Sequence, residues 1–133
     1  MALLVPNVGE VEILTRALTY EGSKLKLYTN DYTATEGTVI GGLTECVVVG
    51  YAHKTLTGTV SGGTWTISTA TNITTASYPE QDFAITTAVS CYGYAVTNSA
   101  GTTLLWAERF TGAPFTLPAG GGSIKVTVNI TGD

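Results

Sequence analysis

The most constraining feature of this chain is hydropathy of period two. Ile124, Val126, Val128 and Ile130 alternate with polar residues, and Lys24-Leu25-Lys26-Leu27-Tyr28 does the same. That pattern gives a half-buried strand one apolar face, and it cannot form the stripe of a helix. The polar partner in these runs is chiefly threonine, which is β-branched and stiff at χ1 and sits well on a pleated surface. Charged residues are only 12% of the chain against 44% hydrophobic, about half the usual charged share. A Thr- and Gly-rich chain of this kind is expected to be mainly β.

Further runs read as strands: Glu45 to Tyr51, Lys54 to Val60, Thr64 to Ser68, Gln81 to Val89, Cys91 to Thr97, Thr103 to Phe110 and Pro114 to Leu117. The continuous apolar run Glu45–Tyr51 suggests a strand buried on both faces or an edge lying under another element. Ser61-Gly62-Gly63, Asn98-Ser99-Ala100-Gly101 and Pro118 to Gly122 are turn signals. Thr29–Gly37 and Thr69–Pro79 read as loops, with Ile73 a candidate to dock inward. About eight short strands at spacings near 8–12 residues predict an antiparallel β-sandwich, jelly-roll-like, over residues 24–131.

The first residues break this pattern. Val11, Leu14 and Leu18 recur at helical spacing, with Ile13 and Ala17 beside them. Asn7 with Glu10 three residues on resembles a capping box, Arg16 suits the last turn, and Gly22 is a natural stop. One short N-terminal α-helix is expected over 7–19, preceded by an arm over 1–6. At 133 residues the chain fits a single domain, 1–133.

Charge and composition exclude several functions. A net charge of −4 with six basic residues does not suit a binder of nucleic acid, which needs clustered Lys and Arg. Lys24 and Lys26 share a strand face and make a small solvated patch. No apolar stretch is long enough to span a bilayer. The opening Met1 to Pro6 has no basic n-region or apolar core of signal-peptide length, so synthesis and residence in a cytoplasm are expected. Cys46 and Cys91 each lie in an apolar run and read as small buried hydrophobes. A disulfide would need an oxidising compartment and close Cβ atoms, and whether they pair stays open.

Catalysis needs positioned titratable groups. His53 is the only histidine, and no Gly-x-Ser-x-Gly elbow accompanies it. Glu80 and Asp82 share a strand face, as Glu10 and Glu12 would only in an extended segment, and no motif places either pair in a cleft. Two distant cysteines and one histidine lack a zinc spacing, and Asn30-Asp31 is too thin for a calcium loop. No enzyme, cofactor or metal is expected. Trp65, Trp106 and the other aromatics offer a sugar-stacking platform or a core between sheets. Each tryptophan lies in an alternating apolar strand, which favours core. Tyr20, Tyr28 and Tyr32 are expected to be partly exposed.

Taken in order, several motifs resemble those of small tailed-bacteriophage virion proteins of the capsid decoration, or cement, type. They are Val5-Pro-Asn-Val-Gly-Glu10, Leu25-Lys-Leu-Tyr-Thr-Asn30, Gly50-Tyr-Ala with Leu56-Thr57, Trp65-Thr-Ile67, Tyr92-Gly-Tyr94, Leu104-Leu-Trp-Ala-Glu-Arg-Phe110 and Ile124-Lys-Val-Thr127 with Ile130-Thr131. The resemblance implies a β-sandwich on the outside of the virion head, made in the bacterial host cytoplasm. Its partners would be the major capsid protein and further copies of itself, as trimer or dimer. No individual functional residue transfers, because such contacts are broad surfaces. Within this chain the apolar arm residues Leu3, Leu4, Val5 and Pro6 are the candidate interface, either as a docking strand or as a staple on the chain's own sheet. A tail, fibre or knob component binding host-surface glycans is the competing function, and it predicts exposed aromatics.

Overall fold

The structure is a computed structural model, described here for residues 5–19, 22–57 and 65–132. In chain order its elements are α1 (Asn7–Thr19), β1 (Ser23–Tyr28), β2 (Lys54–Leu56), β3 (Thr66–Ala70), β4 (Ile73–Ser77), β5 (Gln81–Ile85), β6 (Val89–Cys91), β7 (Gly93–Asn98), β8 (Leu104–Arg109), β9 (Phe115–Leu117), β10 (Gly122–Val126) and β11 (Asn129–Gly132). The architecture is mainly β and sandwich-like, with antiparallel sheets and one N-terminal helix. The chain divides into two compact units, one made of 1–22, 56–80 and 127–133 and the other of 23–55 and 81–126.

The first unit lays α1 on a three-stranded sheet of order β11-β4-β3. The central strand β4 buries Thr74 and Ala76 completely. Trp65 is buried and meets Tyr78 edge-on, with ring centroids 5.0 Å apart. The helix occupies the residues its period predicts, but its buried stripe is narrower. Leu18 is buried and Val11 and Leu14 half-buried, whereas Ile13 and Ala17 are exposed. Its first turn also departs from the capping box. The Pro6 carbonyl accepts the Gly9 and Glu10 N–H groups at 2.7 and 3.0 Å. The Asn7 amide donates to Asn72 Oδ1 at 3.2 Å, and Glu10 accepts from Thr74 Oγ1 at 2.7 Å. Glu10 is drawn to the sheet because Thr74 is buried and its hydroxyl needs an acceptor.

The stretch Thr69–Pro79 is a hairpin, not a long connection. Thr71 and Asn72 take φ values of +51° and +62°, the left-handed pair of a two-residue hairpin turn. The turn carries no glycine, so its usual sequence signal is missing. Ile73 points out and is exposed.

The second unit is built on a four-stranded antiparallel sheet of order β2-β1-β7-β8, accompanied by the pairs β10-β5 and β6-β9. Leu25, Leu27, Phe83, Ile85, Val96, Ile124 and Val126 fill its core. Gly93, opposite Tyr28 and Arg109, is required by close approach: a Cβ there would collide with the Glu108 carbonyl and the Tyr28 ring. Tyr28 is accordingly buried rather than partly exposed, and its hydroxyl lies 3.3 Å from the Tyr32 carbonyl, to which it donates. Tyr32 is half-buried as its loop position suggests, and Tyr20 lies outside the described residues.

Other strand assignments change as well: Gln81–Val89 ends as β5 at Ile85, and Val89–Cys91 forms β6, separate from β7. The alternating run Ile124–Ile130 is two strands, because β10 pairs with β5 and β11 with β4. Glu45–Tyr51 is no buried strand either. Only Glu45 bridges β1, opposite Tyr28, and Val47 and Val49 are 88% and 75% exposed.

Candidate functional surfaces

The arm residues divide. Leu3 and Leu4 lie outside the described residues. Val5 is half-buried beside the first helical turn, its Cγ1 3.2 Å from where a Gly9 Cβ would stand. Pro6 is exposed, with its carbonyl committed to the start of α1.

His53 is exposed just before β2, and Glu80 and Asp82 are both exposed. Glu12 pairs with Arg16 one helical turn on, at 2.8 Å. Among the described residues, no three His, Cys, Asp or Glu side chains gather where they could hold a metal ion, and no helix is long and apolar enough to cross a membrane. Lys26 is not part of a free basic patch, since its Nζ meets Glu45 Oε2 at 2.9 Å.

Cys46 and Cys91 are both buried free thiols in the second unit. Burial, followed by the neighbouring Cys46 side chain, pushes the Cys91 thiol up from 9.0 to about 12. Cys91 therefore holds its proton at any physiological pH and makes a poor nucleophile.

Val47 and Val49 stand on a braced loop. At its start, Thr29 N–H donates to the Thr44 carbonyl at 2.8 Å and Cys46 N–H to the Leu27 carbonyl at 2.9 Å. Asn30 holds both the Gly42 carbonyl, at 2.9 Å, and the Thr44 N–H, at 2.8 Å. At its end, Tyr51 N–H donates to the Val48 carbonyl at 3.1 Å, closing a turn in which Gly50 has φ +90°. Thr86 N–H reaches the Val49 carbonyl at 3.3 Å. The Tyr51 ring stacks on Phe83 at 5.8 Å, and burial holds its hydroxyl well above the usual tyrosine range. Loop apolar side chains normally fold inward or vary freely. Here the backbone is pinned and the outward positions on either side of Val48 are both valine.

A second surface feature lies along β8, the last strand in its sheet order. The segment 34–38 faces β8 across a cavity of about 500 Å³, lined among others by Thr35, Glu36, Thr38, Leu105 and Trp106. Arg109 fastens the segment's approach by pairing with Asp31 and by donating to the Tyr32 carbonyl at 3.3 Å. The β7–β8 register skips between Val96 and Thr97, which oppose Trp106 and Leu104, so Leu105 is an extra, bulged residue. Period-two reading of Thr103–Phe110 could not reveal this bulge, because an inserted residue shifts the alternation without a marker in the sequence. Trp65 is core, as expected, whereas Trp106 is half-buried and borders the cavity. Compared with protein-family models, with curated proteins and with solved structures, the chain matches none.

Proposed function

We propose that this chain is a non-enzymatic phage virion structural protein, a capsid decoration or cement protein that binds the outside of the head and stabilises contacts between major-capsid subunits. The observation that carries the reading is the braced valine loop, with Val47 and Val49 almost fully exposed. Exposing apolar side chains on a rigid frame is unfavourable in an isolated protein and suits one that buries them in an assembly. Val39 in the same unit, and Val8 and Ile13 on α1, are exposed as well. The ordered series of sequence motifs points the same way.

In this reading Val47 and Val49 take the central place first given to Leu3, Leu4, Val5 and Pro6. The arm remains a second contact through Pro6, since Val5 packs back on the helix. Cement action needs no chemistry. A protein that binds only the assembled shell stabilises it by mass action, and copies at symmetry-related sites invite dimeric or trimeric self-contacts.

Purified protein added to expanded, undecorated capsids tests this by co-sedimentation. Saturable binding is expected, reduced at least tenfold by Val47→Asp with Val49→Asp, since a charge buried at an interface costs more than about 1.4 kcal/mol. Absence of co-sedimentation at micromolar protein overturns the proposal.

A further inference from the structure

We infer that the cavity between segment 34–38 and the outer side of β8 is a binding site for a neutral pyranose sugar. The inference is independent of the capsid reading, since it rests on the chemistry of this cavity alone. Its lining sets an apolar wall from the strand, Trp106 and Leu105 with Leu104 and Ala107, against Thr35, Thr38 and Glu36 from the loop. A volume of about 500 Å³ lies within the range of small-ligand sites, roughly 300–1,000 Å³. A pyranose has an apolar C–H face that suits an indole and a rim of hydroxyls that needs a few placed polar partners.

The two outer groups are free to serve different ends. Thr38 holds the loop in shape, because its hydroxyl accepts the Thr35 N–H at 2.8 Å and lies 3.3 Å from Tyr32 Oη. Among the described residues Thr35 Oγ1 meets only Thr38 Oγ1, at a long 3.4 Å, and Glu36 is exposed at the cavity wall. Those are the hydroxyl and the carboxylate that would receive sugar hydroxyls.

Two other occupants fit less well. An added β-strand would need a regular edge, and the Leu105 bulge interrupts the register there while segment 34–38 already flanks it. An anionic ligand would meet Glu36, the one charged side chain among the described lining residues, on a chain of net charge −4. The geometry therefore points to a neutral sugar, with acidic glycans disfavoured by like charge.

The test is titration of the whole protein with neutral hexose and N-acetylhexosamine oligosaccharides and with sialylated and uronic ones, read by calorimetry and by tryptophan emission. Trp65 is buried, so the emission change reports Trp106. A neutral sugar is expected to bind with Kd of about 1 mM or tighter, and acidic glycans at least ~10-fold more weakly. Thr35→Val lowers neutral affinity by roughly 3- to 10-fold, the worth of one hydrogen bond. Glu36→Gln does the same and narrows the gap to acidic glycans. Both residues lie on the surface loop, and unchanged circular dichroism confirms that the variants fold. No neutral binding at about 10 mM sugar overturns the inference, as does equal binding of acidic glycans or affinity indifferent to both substitutions.

Discussion

The Tyr51 hydroxyl donates to Glu45 Oε1 at 3.1 Å while accepting the Leu27 N–H at 3.2 Å, so one phenol closes the valine loop onto β1. Glu45 in turn holds Lys26 at 2.9 Å. Sheet, loop and both ends of the exposed valine segment are thereby one hydrogen-bonded frame.

Tyr51→Phe removes that hydroxyl and leaves the buried Leu27 N–H without its acceptor. A loss of about 1–3 kcal/mol is expected, read as a lower urea midpoint at unchanged m-value. A change below about 0.5 kcal/mol would mean that the frame is not held there.

Gly93→Ala should be far worse than its size suggests. Its Cβ meets the Glu108 carbonyl and the Tyr28 ring, and backbone on the central strand β7 cannot give way cheaply. Destabilisation of about 3 kcal/mol or more is expected, with Gly41→Ala as control because nothing stands within 4 Å of that Cβ. Equal stability of the two variants, measured by denaturant titration, would contradict the packing described.

Thr71→Gly should stabilise the protein. A β-branched residue at φ +51° carries a left-handed backbone cost of roughly 1–2 kcal/mol. Glycine removes this cost while adding some unfolded-state entropy. The expected net gain is about 0.5–1 kcal/mol in thermal unfolding, and a loss would show that Thr71 makes a compensating contact.

Alkali should weaken the fold, starting with a thiol. The folded Cys91 holds its proton to about 12, whereas an unfolded one releases it near 9.0. Between those values the unfolded state binds fewer protons, so stability falls as pH rises through the window. The slope from one such group is at most about 1.4 kcal/mol per pH unit. Burial also raises Tyr51 and Tyr28 above 10.0, which steepens the fall from pH 10 upward. Denaturant midpoints measured from pH 8 to 11 should drop accordingly, and a flat profile would contradict the burial of these groups. At neutral pH both thiols should resist iodoacetamide until the chain is unfolded.

Much of this was legible in the chain itself, and the misses share a cause. The limits of α1 followed from Val11, Leu14 and Leu18, because helical period is a local property. The inward leucines of β1 were equally plain. Pairing partners are not local. Ile124 to Ile130 keeps one alternation although its halves join different strands, and Thr127 carries no mark of the change. Val47 and Val49 read as core because hydropathy gives the cost of exposure but not whether a partner removes it. The cavity along β8 depends on a bulge at Leu105 and a loop 70 residues earlier by numbering, which no window along the chain can join. Trp106 stood out by type but read as core, and its half-burial beside the cavity depends on the same distant loop.

The claim that this protein cements a capsid is most directly tested by the melting of the shell. Undecorated expanded capsids are heated with increasing amounts of the protein, and the midpoint of the shell transition is followed by calorimetry. A midpoint that rises and then saturates at full occupancy is predicted, with a stabilisation near 2.7 kcal/mol per site at a hundredfold excess over Kd. The Val47→Asp, Val49→Asp variant should need at least tenfold more protein for the same rise. A shell that melts at the same temperature with and without saturating protein would contradict the account.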